Sequence, residues 1–165
     1  MEVSKVKIKH VLYATDFSEN AKYACSYAKS IADQYNAEIT LLHVIKDEIP
    51  DLLIFDAGME RTSAGVADRL TIQKDIFEER KDKIIAKIKS EYGEKEIGIN
   101  NILVMKGNPV KVIVNTAKEK ECDLIVMGVK GRGSIEDMLM GDTVRRVISK
   151  GTLPVLVVQN KDFKK

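Results

Sequence analysis

The stretch CDLIVMGVKGRGSIEDMLMGDT, residues 122–143, decides how the rest of the chain is read. Within it Leu124–Met127 is a continuous apolar run of the length expected for a strand buried on both faces, and it stops at Gly128. Glycines at 128, 131 and 133 make up the following loop, and Gly141 immediately precedes a helical pattern in which Val144, Val147 and Ile148 share one face. The order is strand, glycine loop, helix start. Missing Cβ atoms let backbone N–H groups approach a ligand closely, and the positive end of a helix favours an anion, so the arrangement suits phosphate. Glycines in a loop serve equally well as plain turn chemistry, so the weight falls on what the fold places beside them.

Towards the N-terminus, Ile8–Ala14 reads as a first strand that stops at Thr15-Asp16. Ser18 can cap a helix whose stripe of Ala21, Ala24, Cys25, Ala28, Ile31, Ala32 and Tyr35 is small enough to lie close on a sheet, and Asn36 ends it. Ile39–Ile45 is a second apolar strand. An insertion at about 46–68, with Pro50, Gly58, Gly65 and an apolar Leu52–Phe55, is long for a connection and is read as packed on the surface, with a lid or subunit contact as the sharper alternative. An amphipathic helix from Arg69 to Tyr92 ends at Gly93. Ile99–Met105 is the third strand, and Asn108 with Pro109 starts a helix with Val110, Ile113, Val114 and Ala117 on its buried face. Beyond residues 122–143, the last helix stops at Gly151, and Pro154 opens a fifth strand, Val155–Val158, at a sheet edge.

Strands that are apolar throughout, alternating with helices, predict an α/β fold: a five-stranded parallel sheet covered by helices on both faces. Ligands bind such sheets beyond the carboxyl ends of the strands, where the winding reverses. Thr15-Asp16 and the loop from Gly128 both lie at that edge, so they are expected to be neighbours, which favours the strand order 3-2-1-4-5 with a crevice between strands 1 and 4. Asp16 there can accept from ribose hydroxyls, and the backbone near Val44 can pair with a base edge, although Asp16 is also suited to starting a helix. Lys130 and Arg132 offer charge-assisted contacts to phosphate.

Composition narrows the classes. The 165 residues are 44% apolar and 32% charged, enough for one soluble domain with a real core, 1–165, and the formal charge of +2 predicts no nucleic-acid partner. No apolar run approaches the ~20 residues of a bilayer crossing and the N-terminus lacks a secretion signal, so a cytoplasmic protein with no membrane partner is expected. Cys25 and Cys122 read as reduced core residues, and two histidines, His10 and His43, with no paired ligand spacing, read as structural rather than zinc-binding. Two known nucleotide signatures are absent: Lys130 is followed by Gly131 where GxxxxGK[ST] needs Ser or Thr, and no glycine run of dinucleotide spacing follows the first strand.

Gly128-xx-Gly131, nine residues, then Gly141, together with DLIVMG, YATDFS near the N-terminus and a closing LPVLVV, resembles the universal stress protein family over about Ile8 to Val158. The resemblance implies a flavodoxin-like fold of the adenine nucleotide alpha hydrolase type and often a homodimer formed through the last strand, 155–158. Pairing that edge also removes an exposed apolar strand. In the family's ATP-binding branch, the acid of the TD segment contacts ribose, the end of strand two reads adenine through its backbone, and the glycine motif holds phosphates. Carried over, this nominates Ala14, Thr15, Asp16, Val44, Met127, Gly128, Gly131 and Gly141.

One position departs from the branch. Where its pattern continues with Ser or Thr after the last glycine, this chain has Asp142. A hydroxyl donates to phosphate, whereas an ionised carboxylate only accepts and at ~4 Å costs a few kcal/mol at an effective dielectric near 20. Asp142 is also a favourable N-cap, able to occupy the place of a phosphate. Either Mg²⁺ bridges Asp142 to the phosphates or Thr143 supplies the hydroxyl. The expected function is a stress-type regulatory homodimer binding ATP or AMP, without catalytic residues and with at most weak ATPase activity. The rivals are a nucleotide-free dimeric adaptor with its phosphate site blocked by Asp142, and an enzyme of the related adenine-nucleotide hydrolase group.

Overall fold

A computed structural model describes residues 5–46, 63–93, 99–131 and 140–160. The elements, in chain order, are β1 (His10–Ala14), α1 (Glu19–Tyr35), β2 (Glu38–Ile45), α2 (Ser63–Tyr92), β3 (Ile99–Lys106), α3 (Pro109–Glu119), β4 (Leu124–Gly128), α4 (Asp142–Lys150) and β5 (Val155–Val158). The strands form one parallel sheet in the order β3-β2-β1-β4-β5, as the sequence predicts.

Period-two alternation sorts each strand's side chains into two apolar layers. Val11 and Tyr13 of β1, with Leu124 and Val126 of β4, join Ala24, Cys25, Ala28 and Ile88 of α1 and α2. Leu12, Ala14, Ile125 and Met127 point the other way, into Val110, Ile113, Ala117, Val144 and Val147 of α3 and α4. The small face of α1 explains its close seat on β4: a Cβ on Gly128 would lie 2.6 Å from the backbone at Ala21 and Asn20.

The helix boundaries follow local chemistry. Ser18 Oγ accepts from the Ala21 N–H at the start of α1, and Asn36 ends the helix in the left-handed region at φ 52°. Asn108 caps α3 ahead of Pro109, and Gly93 closes α2 at φ 64°. Residues 47–62 of the expected insertion lie outside the described residues. Its last part is helix, because α2 begins at Ser63 and not at Arg69. Gly65 is a loop signal in the sequence, yet one glycine costs a helix only about 1 kcal/mol against alanine, and a long helix propagates through it.

Two further expectations change at α4. The sequence pattern puts Ile148 on one face with Val144 and Val147, but it is 45% exposed. The short helix buries only the narrow strip between Val144 and Val147, and Ile148 is rotated past it on the side away from Val147. Asp142 is not the N-cap either. Gly141 takes that position with extended backbone, and Asp142 is the first helical residue.

Both cysteines are buried and reduced. Burial pushes the Cys25 and Cys122 thiols up to about 11, and burial likewise raises Tyr13 and Tyr92 above the ordinary phenol range. A folded-state pKa above the unfolded value stabilises the fold fully below the unfolded pKa, and that contribution disappears as pH rises through the folded one. The urea midpoint is therefore expected to hold to about pH 8 and to fall steadily towards pH 11. A midpoint flat across that window would contradict the burial of these groups.

Candidate functional site

β1 sits between β2 and β4, so the chain winds outward in opposite directions from it. At the carboxyl ends of these strands a cavity of about 330 Å³ opens, the size of a small-molecule site. The register explains its walls. Ala14 lies opposite Leu42 on one side and Met127 on the other, so the three form an apolar floor, with Ile113 and Pro109 of α3 beside it. β1 stops opposite Leu42, which leaves the β1-facing edge of Val44 open to the cavity.

The opposite end is polar. Asp16 comes against the glycine loop so closely that a Cβ on Gly131 would collide with its carboxylate, and Asp16 Oδ1 accepts from the Ser18 N–H at 3.1 Å. Ser18 Oγ–H donates to the Lys130 carbonyl at 3.2 Å, which ties the first strand's loop to the fourth's. The Val129 N–H donates to Val158 O at 2.8 Å and the Gly141 N–H to Val129 O at 2.9 Å, so the entry and exit of the glycine segment are anchored together. Gly128, Lys130, Gly131, Gly141, Asp142 and Thr143 all line the cavity. The start of α4, where the N-cap Gly141 brings no side chain, lies at this end of the cavity.

Behind Asp16 the loop is rigidly held. Phe17 is buried at φ 62°, a conformation few non-glycine residues adopt, and its N–H donates to Thr15 Oγ1 at 3.1 Å. Thr15 Oγ1 and Tyr13 Oη both meet Tyr92 Oη, at 3.3 and 3.1 Å, while Tyr13 Oη–H reaches Ala21 O at 2.6 Å. His43 lies 2.8 Å from Thr15 O through Nδ1, and since a carbonyl only accepts, Nδ1 carries the proton. The His43 ring stacks on Phe17 with centroids 4.6 Å apart. His10 bridges Lys120 O and Thr40 Oγ1.

The Asp142 carboxylate is held by two arginines of its own helix. Its Oδ1 accepts from Arg145 Nη2 at 2.8 Å and its Oδ2 from Arg146 Nη1 at 3.5 Å. The Arg145 hydrogen bond holds its carboxyl below the usual range.

Of the residues nominated from sequence, Ala14, Thr15, Asp16, Val44, Met127, Gly128, Lys130, Gly131, Gly141, Asp142 and Thr143 line one cavity, and Arg132 lies outside the described residues. The Thr15 hydroxyl, however, is committed to Phe17 and Tyr92. Sequence reasoning missed Ala21, Leu42, Lys46, Pro109, Ile113 and Val144 in the lining. Leu42 was accessible from the alternation that puts it on the face of Val44; the α3 residues approach only through the crossover. Among the described residues, no group of three or more acidic, histidine or cysteine side chains is arranged to hold a metal, and no helix is long and apolar enough to cross a membrane.

Residues 7–159 match the model of the universal stress protein family. Among curated proteins the chain is 34% identical to universal stress protein MJ0577 of Methanocaldococcus jannaschii, over 95% of this chain and 98% of that one. It is 29% identical to a universal stress protein of Thermus aquaticus, over 92% and 98%. The solved structure of MJ0577 superposes with a TM-score of 0.72 at 30% identity, covering 94% of this chain and 99% of the other. UspA of Lactobacillus plantarum shares the fold, at a TM-score of 0.68 and 22% identity over 93% and 99%. With the sheet order, the glycine segment and the match along nearly its whole length in agreement, this chain belongs to the universal stress protein family.

Proposed function

We propose that the cleft between β1 and β4 binds an adenine nucleotide, ATP or AMP, and that the protein acts as a nucleotide-responsive stress regulator in the cytoplasm. The observation that carries this reading is one cavity bounded by Asp16 and Val44, by the Gly128–Gly131 turn and by the start of α4. The apolar floor of Leu42, Met127 and Ile113 suits a base, and the Val44 backbone edge suits its hydrogen-bonding groups. Asp16, which accepts from the Ser18 N–H through Oδ1 and has Oδ2 beside Gly131, suits a ribose hydroxyl. Backbone N–H groups at Asp142–Val144 and the Thr143 hydroxyl suit a phosphate, with Lys130 as a neighbouring charge. Binding rather than turnover is the role proposed for this lining.

The partner in this proposal is a second copy paired along β5, the strand at the sheet edge, whose Val155, Leu156 and Val157 are only half-buried. Calorimetric titration with ATP, ADP and AMP, with light scattering on the same sample, tests both halves. Saturable binding by a dimer is expected. Absence of heat up to millimolar nucleotide would remove the nucleotide reading, and a monomer at tens of micromolar would remove the dimer.

A further inference from the structure

The feature that sets this cleft apart is the carboxylate at its phosphate end. We propose that Asp142 determines which adenine nucleotide the cleft prefers, disfavouring phosphate chains in proportion to their charge, so that without divalent cations AMP binds more tightly than ATP. This rests on the nucleotide reading of the cavity.

Position comes first. Asp142 lines the cavity together with Gly141, Thr143 and Val144, at the glycine-loop end, away from the apolar floor. A charge there acts on phosphates and not on a base. Its carboxylate does not cap α4, since the N-cap is Gly141 with no side-chain bond. Asp142 thus does not itself occupy the helix N–H groups that a phosphate would use. Its charge is nevertheless fixed beside them.

The arginines define how that charge acts. Arg145 and Arg146 engage both carboxylate oxygens along the outer side of α4, and the Asp142 and Arg145 side chains are 55% and 66% exposed. Two guanidinium groups on one carboxylate screen it in part, which lets a single phosphate bind at modest cost. They also oppose recruitment of Mg²⁺ to Asp142, because both oxygens are already engaged and two positive charges stand beside them. Each further phosphate adds negative charge within the range over which a half-exposed carboxylate is felt, about a Debye length or less. The penalty therefore grows from AMP to ADP to ATP and vanishes for adenosine.

The test is calorimetric titration of the full chain with adenosine, AMP and ATP in EDTA, using the native protein, Asp142→Asn and Arg145→Gln. Both substituted side chains are exposed, and Arg145→Gln moves the effect in the reverse direction through a different residue. Asp142→Asn is expected to raise ATP affinity about tenfold, AMP affinity about threefold or less, and adenosine affinity not at all. Arg145→Gln is expected to widen the native preference for AMP, and high salt to narrow it. An AMP-to-ATP ratio that is the same in all three proteins, or equal gains for the three ligands in Asp142→Asn, would overturn the assignment while leaving nucleotide binding intact. Failure of every ligand to bind both the native protein and Asp142→Asn would remove the nucleotide reading, and the charge selection with it.

Discussion

Gly128→Ala is expected to destabilise the protein by about 3 kcal/mol, at the upper end of the range for overpacked cores, and to lower its melting temperature by about 6–12 °C. The glycine is not needed for an unusual backbone angle, because its φ is outside the left-handed region. It is needed for space. An added Cβ would stand 2.6 Å from Ala21 N and 2.6 Å from Asn20 C, and both are backbone atoms in the first turn of α1. Backbone cannot rotate aside as a side chain can, so α1 must lift from β4, and the layer of Ala24, Cys25 and Ala28 opens with it. Thermal unfolding followed by circular dichroism measures the loss, and a melting temperature within 2 °C or so of the native value would show that α1 does not sit as close as described.

Gly131→Ala is expected to do the reverse: little change in stability, but a loss of nucleotide affinity of about tenfold or more. Here the added Cβ meets the Asp16 carboxylate, the far end of a side chain that can turn away. The displaced oxygen is Oδ2, while Oδ1 is bonded to the Ser18 N–H. A carboxylate moved by an ångström no longer meets a ribose hydroxyl at hydrogen-bonding distance. Paired thermal melts and titrations on the two alanine variants separate the roles of the two glycines: one admits a helix, the other an acid. Unchanged affinity in Gly131→Ala would take Asp16 out of the binding reading.

Much of this was legible in the residues before any coordinates. The apolar strands and the glycine-bearing edge were enough for the strand order and for the adjacency of Asp16 to Gly128–Gly131, because few topologies bring two polar strand ends together in a parallel sheet. Local signals read well where one residue does one job, as Ser18, Asn36, Gly93 and Asn108 do at helix ends. They read poorly where neighbours compete. Asp142 has the chemistry of a cap, yet the two arginines one turn on draw its carboxylate outward, and glycine takes the cap position. The Thr15 hydroxyl looks like a ligand group in a TD segment, but Tyr92, distant in sequence, claims it. Ile113 and Pro109 enter the cleft through the crossover of α3, which no local pattern encodes.

The sheet itself separates two mutational territories. Because consecutive strand residues feed different apolar layers, the side chains that floor the cleft and those that seat α1 and α2 meet only through backbone. Changes such as Ile113→Val on one side and Ile88→Val on the other should add nearly independently, as distant substitutions without shared partners do. Ligand preference can thus drift across evolution on one face while the opposite face keeps the molecule folded.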